Sequence, residues 1–433
     1  MLLAQPDKGP TRLPWVLLQT VTAVALILCA ASCPPATAQA PEILPLSEVR
    51  PGMKGYAYTI FAGDQAEKFD LEVIGVMPNF LGPKQSVILI QLLGPKVERT
   101  GVVAGMSGSP VYLEGKLAGA LSLRLGIFTK DAIAGVTPIE DVLQGKQLGA
   151  GQQPAATSFP LSAETVSHGY VPAGSSLEPI DTPLVFSGFP PLAVQRFTSQ
   201  LSGYGLVAAP GGTAPPRVDD AHLKPGDMVG MVLVQGDASI SAACTVTAIE
   251  ADRVYLCGHP FLNLGSVSLP MARSHVLMTL SSSLASTKIV NVGGPIGTIS
   301  SDHLTAVTGK LGAPPPLIPL DLTFAANGAE KKLHFEVVSH PKLTPLLMAM
   351  STFSGLTLNS LYGEGTTLHV QGEIRLKGHS LVRLENSYAP GDTLNPDSFP
   401  VAIGVQSAHR ELARPQVVHD RECLARKGRS ATR

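Results

Sequence analysis

The chain reads as a mainly β protein, and three observations carry that expectation. Short apolar runs of roughly four to eight residues, among them Phe69–Val76, Ser86–Leu93 and Met228–Val234, recur between Gly, Pro and Asp turns. The 433 residues include 43 Gly and 37 Pro spread along the whole length, which suits many strands joined by tight connections. Hydrophobic residues make up 44% and charged residues only 15%, so core material is ample, and the length favours about two or three domains. A net charge of −1 argues against nucleic acid as a partner.

At the amino end, Lys8 and Arg12 precede an apolar run from Trp15 to about Ala31, followed by Pro34-Pro35-Ala36-Thr37-Ala38. Charge, then apolar residues, then small residues read as a secretory signal over residues 1–38, so the protein is expected to be exported to the periplasm or cell exterior. A retained membrane anchor is the structural alternative, and lipid attachment at Cys33 a further one. Membrane contact is expected only through this segment. Removing it leaves Cys244, Cys257 and Cys423, too few and too odd a count for a disulfide framework. Cys244 and Cys257 face each other across one expected hairpin, either paired, as an oxidising compartment allows, or as free thiols.

The folded part opens near residue 45 with strands at Tyr58–Phe61, Phe69–Val76 and Ser86–Leu93. An apolar run from Thr100 then enters the turn Gly105-Met106-Ser107-Gly108-Ser109-Pro110, and Val111–Leu121 leaves it as a hairpin turning at Glu114-Gly115. Thr137-Pro138 starts a short closing helix. This unit spans 45–145, and 146–180 reads as a linker. A second unit, 181–313, begins near Thr182–Phe189 and holds helical spacing over Pro191–Leu201, an exposed Pro/Gly-rich loop over Ala208–Val218, and strands at Met228–Val234, Ala242–Ile249 and Arg253–Cys257. The last of these ends in Gly258-His259-Pro260. Lys288–Ile299 supplies another turn-rich strand region. After Pro314-Pro315-Pro316, residues 317–405 read as an accessory β-rich domain with one buried helix near Leu343–Leu356, and 408–433 as a disordered tail.

Two of these places carry chemistry. Glycines on both sides of Ser107 allow positive φ and remove side-chain bulk, so that backbone N–H groups, those of Gly105 and Ser107, converge beside a hydroxyl. A neutral imidazole at His259 can take a proton from that hydroxyl and return it to a leaving amine. The plainer readings stay open: a tight turn between buried strands, and a structural histidine after a strand. Neither a metal nor a cofactor is expected, since no ligand spacing or phosphate-cradling loop occurs.

Thr100–Ala120 closely resembles the serine-site segment of the sporulation stage IV factor B peptidase family, in its Gly-Met-Ser-Gly-Ser-Pro turn and the Gly-Lys hairpin that follows. Lys224–His259 resembles that family's histidine half more loosely. The resemblance implies a chymotrypsin-like double β-barrel split over two segments, and the C-terminal β-rich domain lies outside the residues it covers. It also implies serine endopeptidase chemistry on a protein or peptide substrate, with Ser107 as nucleophile and His259 as general base. The family places an Asp upstream of the serine, where this chain has Gly94; Asp302 is the expected substitute, its alternative being a turn or cap residue. Here the serine precedes the histidine, an order that geometry tolerates. A catalytically inactive relative, keeping the barrels as a binding or scaffolding module, is the alternative function.

Overall fold

The computed structural model describes residues 42–126, 131–144, 158–160, 176–202, 206–213, 223–326, 329–358, 368–375, 378 and 380–388. The signal segment 1–38, the tail 408–433 and Cys423 lie outside the described residues. The protein is mainly β and forms a double barrel.

The first barrel is built from β1 (Lys54–Thr59), β2 (Glu67–Gly82), β3 (Gln85–Leu93), β4 (Pro110–Leu113), β5 (Lys116–Leu125) and β6 (Ile133–Pro138). They follow the order β4-β1-β2-β3-β6-β5, and β5 pairs back with β4 to close the ring. On β2 the sequence alternates as period-two patterning requires, with Phe69, Leu71 and Val73 buried and Asp70 exposed between them. Their side chains meet Ile90, Leu92, Met106, Val111 and Leu121 in the barrel interior. The β4–β5 hairpin turns at Glu114 (φ 51°) and Gly115 (φ 80°), the positive pair that a two-residue hairpin turn needs. Between β3 and the serine turn the chain forms α1 (Pro95–Thr100) rather than continuing as a strand, because Pro95 presets the first helical turn. A second short helix, α2 (Ile139–Gln144), closes the unit.

Strand β5 is buried along nearly its whole length because both of its faces are covered. Leu117 and Ala120 pack toward the second barrel, and Leu123 and Leu125 pack under a strand drawn from the stretch read as linker. That stretch contributes β7 (Phe159–Pro160) and β8 (Ser176–Pro179), with β8 pairing antiparallel to β5.

The second sheet has ten strands: β9 (Thr182–Ser187), β10 (Leu206–Thr213), β11 (Met228–Gly236), β12 (Ser239–Glu250), β13 (Arg253–Leu256), β14 (Gly265–Leu280), β15 (Thr287–His303), β16 (Ala306–Leu311), β17 (Ile318–Ala326) and β18 (Ala329–Val337). Because β10 pairs with both β9 and β15, and β12 with both β9 and β11, the ring β9-β12-β11-β14-β15-β10 is closed. Residues 208–213, expected as part of an exposed loop, lie instead in β10. Gly211 makes this possible, since a Cβ there would overlap the Val290 carbonyl of β15. The segment after the Pro314–Pro316 break does not start a separate sheet: β18 pairs with β11 of the barrel. Helix α4 (Thr344–Leu358) packs on β17 and β18 and against α3 (Pro191–Ser202), with Phe197 and Phe353 edge to face. Strands β19 (Leu368–Ile374) and β20 (Val382–Tyr388) form an independent hairpin. Among the described residues no helix is long and apolar enough to cross a membrane.

The barrels meet through a shared apolar cluster in which Leu117, Ala120, Ile139 and Val142 of the first pack against Ala248, Tyr255 and Ala306 of the second. Beside it, Thr245, Thr247 and Thr305 hydroxyls donate to the carbonyls of Gly105, Gly108 and Asp141. The serine turn is therefore fixed by the neighbouring barrel and not by its own barrel alone.

Candidate active site

Ser107 lies at the apex of a turn whose flanking glycines have φ of 94° (Gly105) and 91° (Gly108). Gly108 is required twice over: its backbone is left-handed, and a Cβ would overlap the Thr245 carbonyl oxygen and the Cys257 amide. The turn is held inside the first barrel by Gly108 N–H donating to Leu121 O (2.7 Å) and Ser109 Oγ donating to Met106 O (2.7 Å). Thr245 N–H of β12 donates to Ser107 O at 2.9 Å. Ser107 itself is fully buried, and its hydroxyl points at Cys244 Sγ, 3.8 Å away.

Cys244 and Cys257 are joined as a disulfide, with Cα atoms 5.2 Å apart. The bond links β12 to the end of β13 and holds Cys257 at φ 68°, followed by Gly258 at φ 68°. Two successive left-handed residues turn the chain out of β13 and deliver His259. The Gly258 carbonyl accepts from Thr137 Oγ1 (2.7 Å), which fixes this corner to the first barrel.

His259 is buried, and its Nδ1 lies 2.8 Å from the Pro260 carbonyl. A carbonyl oxygen only accepts, so the neutral ring carries its proton on Nδ1 and leaves the Nε2 lone pair open. Nε2 is buried and makes no hydrogen bond. Burial holds the imidazole pKa down to about 4, against the Pro260 and Ile180 carbonyls, which favour the charged ring. The ring lines a small pocket of about 20 Å³ shared with Ser122, Thr137 and Phe159.

The structure brings the serine and histidine segments together at one junction but does not join their side chains. Ser107 abuts the disulfide whose second cysteine lies two residues before His259, while no hydrogen bond links Ser107 to His259. Asp302, buried on β15, faces the same loop in a different role. Its Oδ1 accepts from Phe261 N–H (2.7 Å), and its Oδ2 from Leu262 N–H (2.8 Å) and Leu264 N–H (3.0 Å). The orienting partner of the imidazole is thus the Pro260 carbonyl, and Asp302 pins residues 261–264 behind it. Burial pushes the Asp302 carboxyl up from its ordinary value, against those three donors. Of the expected oxyanion donors, the Gly105 N–H already donates to the Asp181 carbonyl (3.2 Å).

Several residues at the junction gave no signal in the sequence. Lys288 is fully buried beside Gly105, donating to Thr59 Oγ1 at 2.7 Å, and burial holds its pKa down to about 7. Arg124 on β5 pairs with Glu178 (3.3 Å) and Asp181 (3.1 Å). Each pair spans far more sequence than a local motif does. No group of His, Cys, Asp and Glu side chains suited to a metal ion occurs among the described residues.

Residues 33–139 match the family model described as SpoIVB peptidase S55. No curated protein and no solved structure gives a match. The matched segment includes the barrel strands that frame Ser107 and the whole glycine-flanked turn, and over these residues, about a quarter of the chain, the protein is similar to the SpoIVB-type serine peptidases.

Proposed function

We propose that this chain is an exported serine endopeptidase in which Ser107 is the nucleophile and His259 the general base. The observation that carries the reading is the state of His259: a neutral ring with Nδ1–H held by a carbonyl and a free Nε2, next to the disulfide that Ser107 touches. In the reaction, Nε2 takes the Ser107 hydroxyl proton as Oγ bonds to the scissile carbonyl carbon. The Ser107 N–H stabilises the resulting oxyanion, joined by the Gly105 N–H once that group leaves the Asp181 carbonyl. The carbon–nitrogen bond then breaks as Nε2 returns the proton to the leaving amine, and water hydrolyses the acyl-enzyme by the same relay. The buried, hydrogen-bonded corner at Gly258 and the Asp302-pinned loop preorganise the base. The disulfide is in keeping with an oxidising, extracytoplasmic compartment.

The full burial of Ser107 and its contact with Cys244 favour a second reading, an inactive barrel pair that serves as a binding module. A fluorophosphonate probe separates the two. On the peptidase reading, labelling occurs on the intact chain, disappears in Ser107→Ala and falls by at least about 100-fold in His259→Ala. Well-folded protein that never labels at Ser107, under any condition tested, sinks the enzymatic reading in favour of the module.

A further inference from the structure

Strand β4 is only four residues long, so it leaves the edge of β5 open from Ser122 onward. An open edge is a template for strand addition, and the chain fills it with its own residues. Leu125, Arg124 and Leu123 pair antiparallel with Leu177, Glu178 and Pro179. The ladder continues at both ends, with Ile180 N–H donating to Ser122 O (2.9 Å) and Gly126 N–H donating to Ser176 O (3.3 Å). One residue further on, the Asp181 carbonyl takes the Gly105 N–H, two residues before the nucleophile. The strap therefore runs along an edge of the serine barrel and ends on the backbone donor that the reaction needs.

Its side chains show what the groove recognises. Leu177 is fully buried among Leu89, Leu123, Leu125 and Ile133. Glu178 and Asp181 both turn to Arg124 and share its Nη2, at 3.3 and 3.1 Å. Arg124 Nε is buried without a partner, so the guanidinium holds two carboxylates end-on and none in the bidentate geometry it favours. Beside Arg124 a pocket of about 170 Å³ remains open between Thr100–Val102 and the Ser282–Ser286 tip of the β14–β15 hairpin. The strap leaves both the unsatisfied Nε and this space unused.

We infer that residues 176–181 are an internal pseudosubstrate lying in the groove where this peptidase binds an extended peptide, and that Arg124 selects substrates with an acidic side chain at that point. The inference rests on the peptidase reading for the reaction, but the groove and its acid preference can be measured without turnover. Displacing the strap opens the groove and frees the Gly105 N–H; a substrate with a carboxylate seated on both Nε and Nη2 outcompetes it.

The test uses the full chain and a fluorescein-labelled peptide of the sequence Ser176–Thr182, read by anisotropy, alongside the rate of fluorophosphonate labelling. In a Leu177→Asp/Ile180→Asp variant the peptide is expected to bind at least 10-fold more tightly than to the unaltered chain, and labelling of Ser107 to speed up by at least 10-fold. Because those substitutions enter buried positions, the isosteric Glu178→Gln/Asp181→Asn variant is run beside them, with smaller changes of the same sign. Peptide in which the two acids are replaced by Gln and Asn, or an Arg124→Gln background, is expected to weaken binding by at least 10-fold. Absence of peptide binding in both strap variants, each folded by circular dichroism, overturns the inference; so does equal binding of the acidic and neutral peptides. Acid-dependent binding without any Ser107 labelling keeps the groove and removes the peptidase reading.

Discussion

Lys288 places an ammonium group where only the Thr59 hydroxyl answers it, and among the described residues no carboxylate pairs with it. A folded-state pKa of about 7 against the ordinary 10.5 means that the unfolded chain binds the proton more tightly. Stability tied to this residue is therefore full above 10.5, declines as pH falls toward 7, and stays at its lowest below that. His259 acts in the same sense over a lower range, with stability lost as pH falls from 6.5 toward about 4. Lys288→Met removes the buried charge at similar volume and is expected to stabilise the protein by about 1–4 kcal/mol at pH 6. In urea titrations the gain should shrink steadily between pH 7 and 10.5; a gain that is constant with pH would refute the account of Lys288.

At the scale of elements, the serine turn is a joint between β12 and the corner after β13, and its tolerance is set by backbone clearance. Gly108→Ala adds a methyl where the Thr245 carbonyl and Cys257 amide already lie, at a left-handed φ of 91°. We expect a loss of at least about 3 kcal/mol, the range reserved for core overpacking combined with backbone strain. Equilibrium unfolding measures it directly, and a loss below about 1 kcal/mol would mean that the turn is not clamped as described. By contrast Gly94, Gly101 and Gly115 have no atoms within 4 Å of a Cβ, so only their positive φ constrains them.

For the whole molecule, the cluster of Leu117, Ala120, Ile139 and Val142 with Ala248, Tyr255 and Ala306 belongs to both barrels at once. Neither barrel retains that core alone, so we expect the two to unfold in one cooperative transition. Ile139→Ala, made in the first barrel, should lower the stability of the joint transition by about 2–5 kcal/mol. Calorimetry resolving two separate transitions, with only one of them moved by the substitution, would contradict this coupling. A coupled junction also matters for the site, because the Ser107 turn and His259 come from different barrels and hold their relative geometry only while both are folded.

The β class, the β4–β5 hairpin at Glu114-Gly115, the helices near Pro191 and Leu343, and the glycine-framed Ser107 turn were all legible in the residues, because each depends on local patterning and turn chemistry. The strand roles of residues 208–213 and 176–179 were not, since pairings with β15 and β5 lie far away in sequence and a Gly/Pro-rich stretch such as 208–213 looks the same in a loop as in a strand. Asp302 reads from the sequence as the substitute for the family's Asp, or as a turn or cap residue; its three amide partners depend on how the 261–264 loop folds back on β15. Likewise the meeting of Cys244 with Ser107, of Lys288 with Thr59 and of Arg124 with Asp181 was decided only in three dimensions. Sequence settles what neighbours along the chain can do with rotamers, φ values and alternation; which distant groups share a buried space is settled by barrel closure and the packing of one barrel on the other.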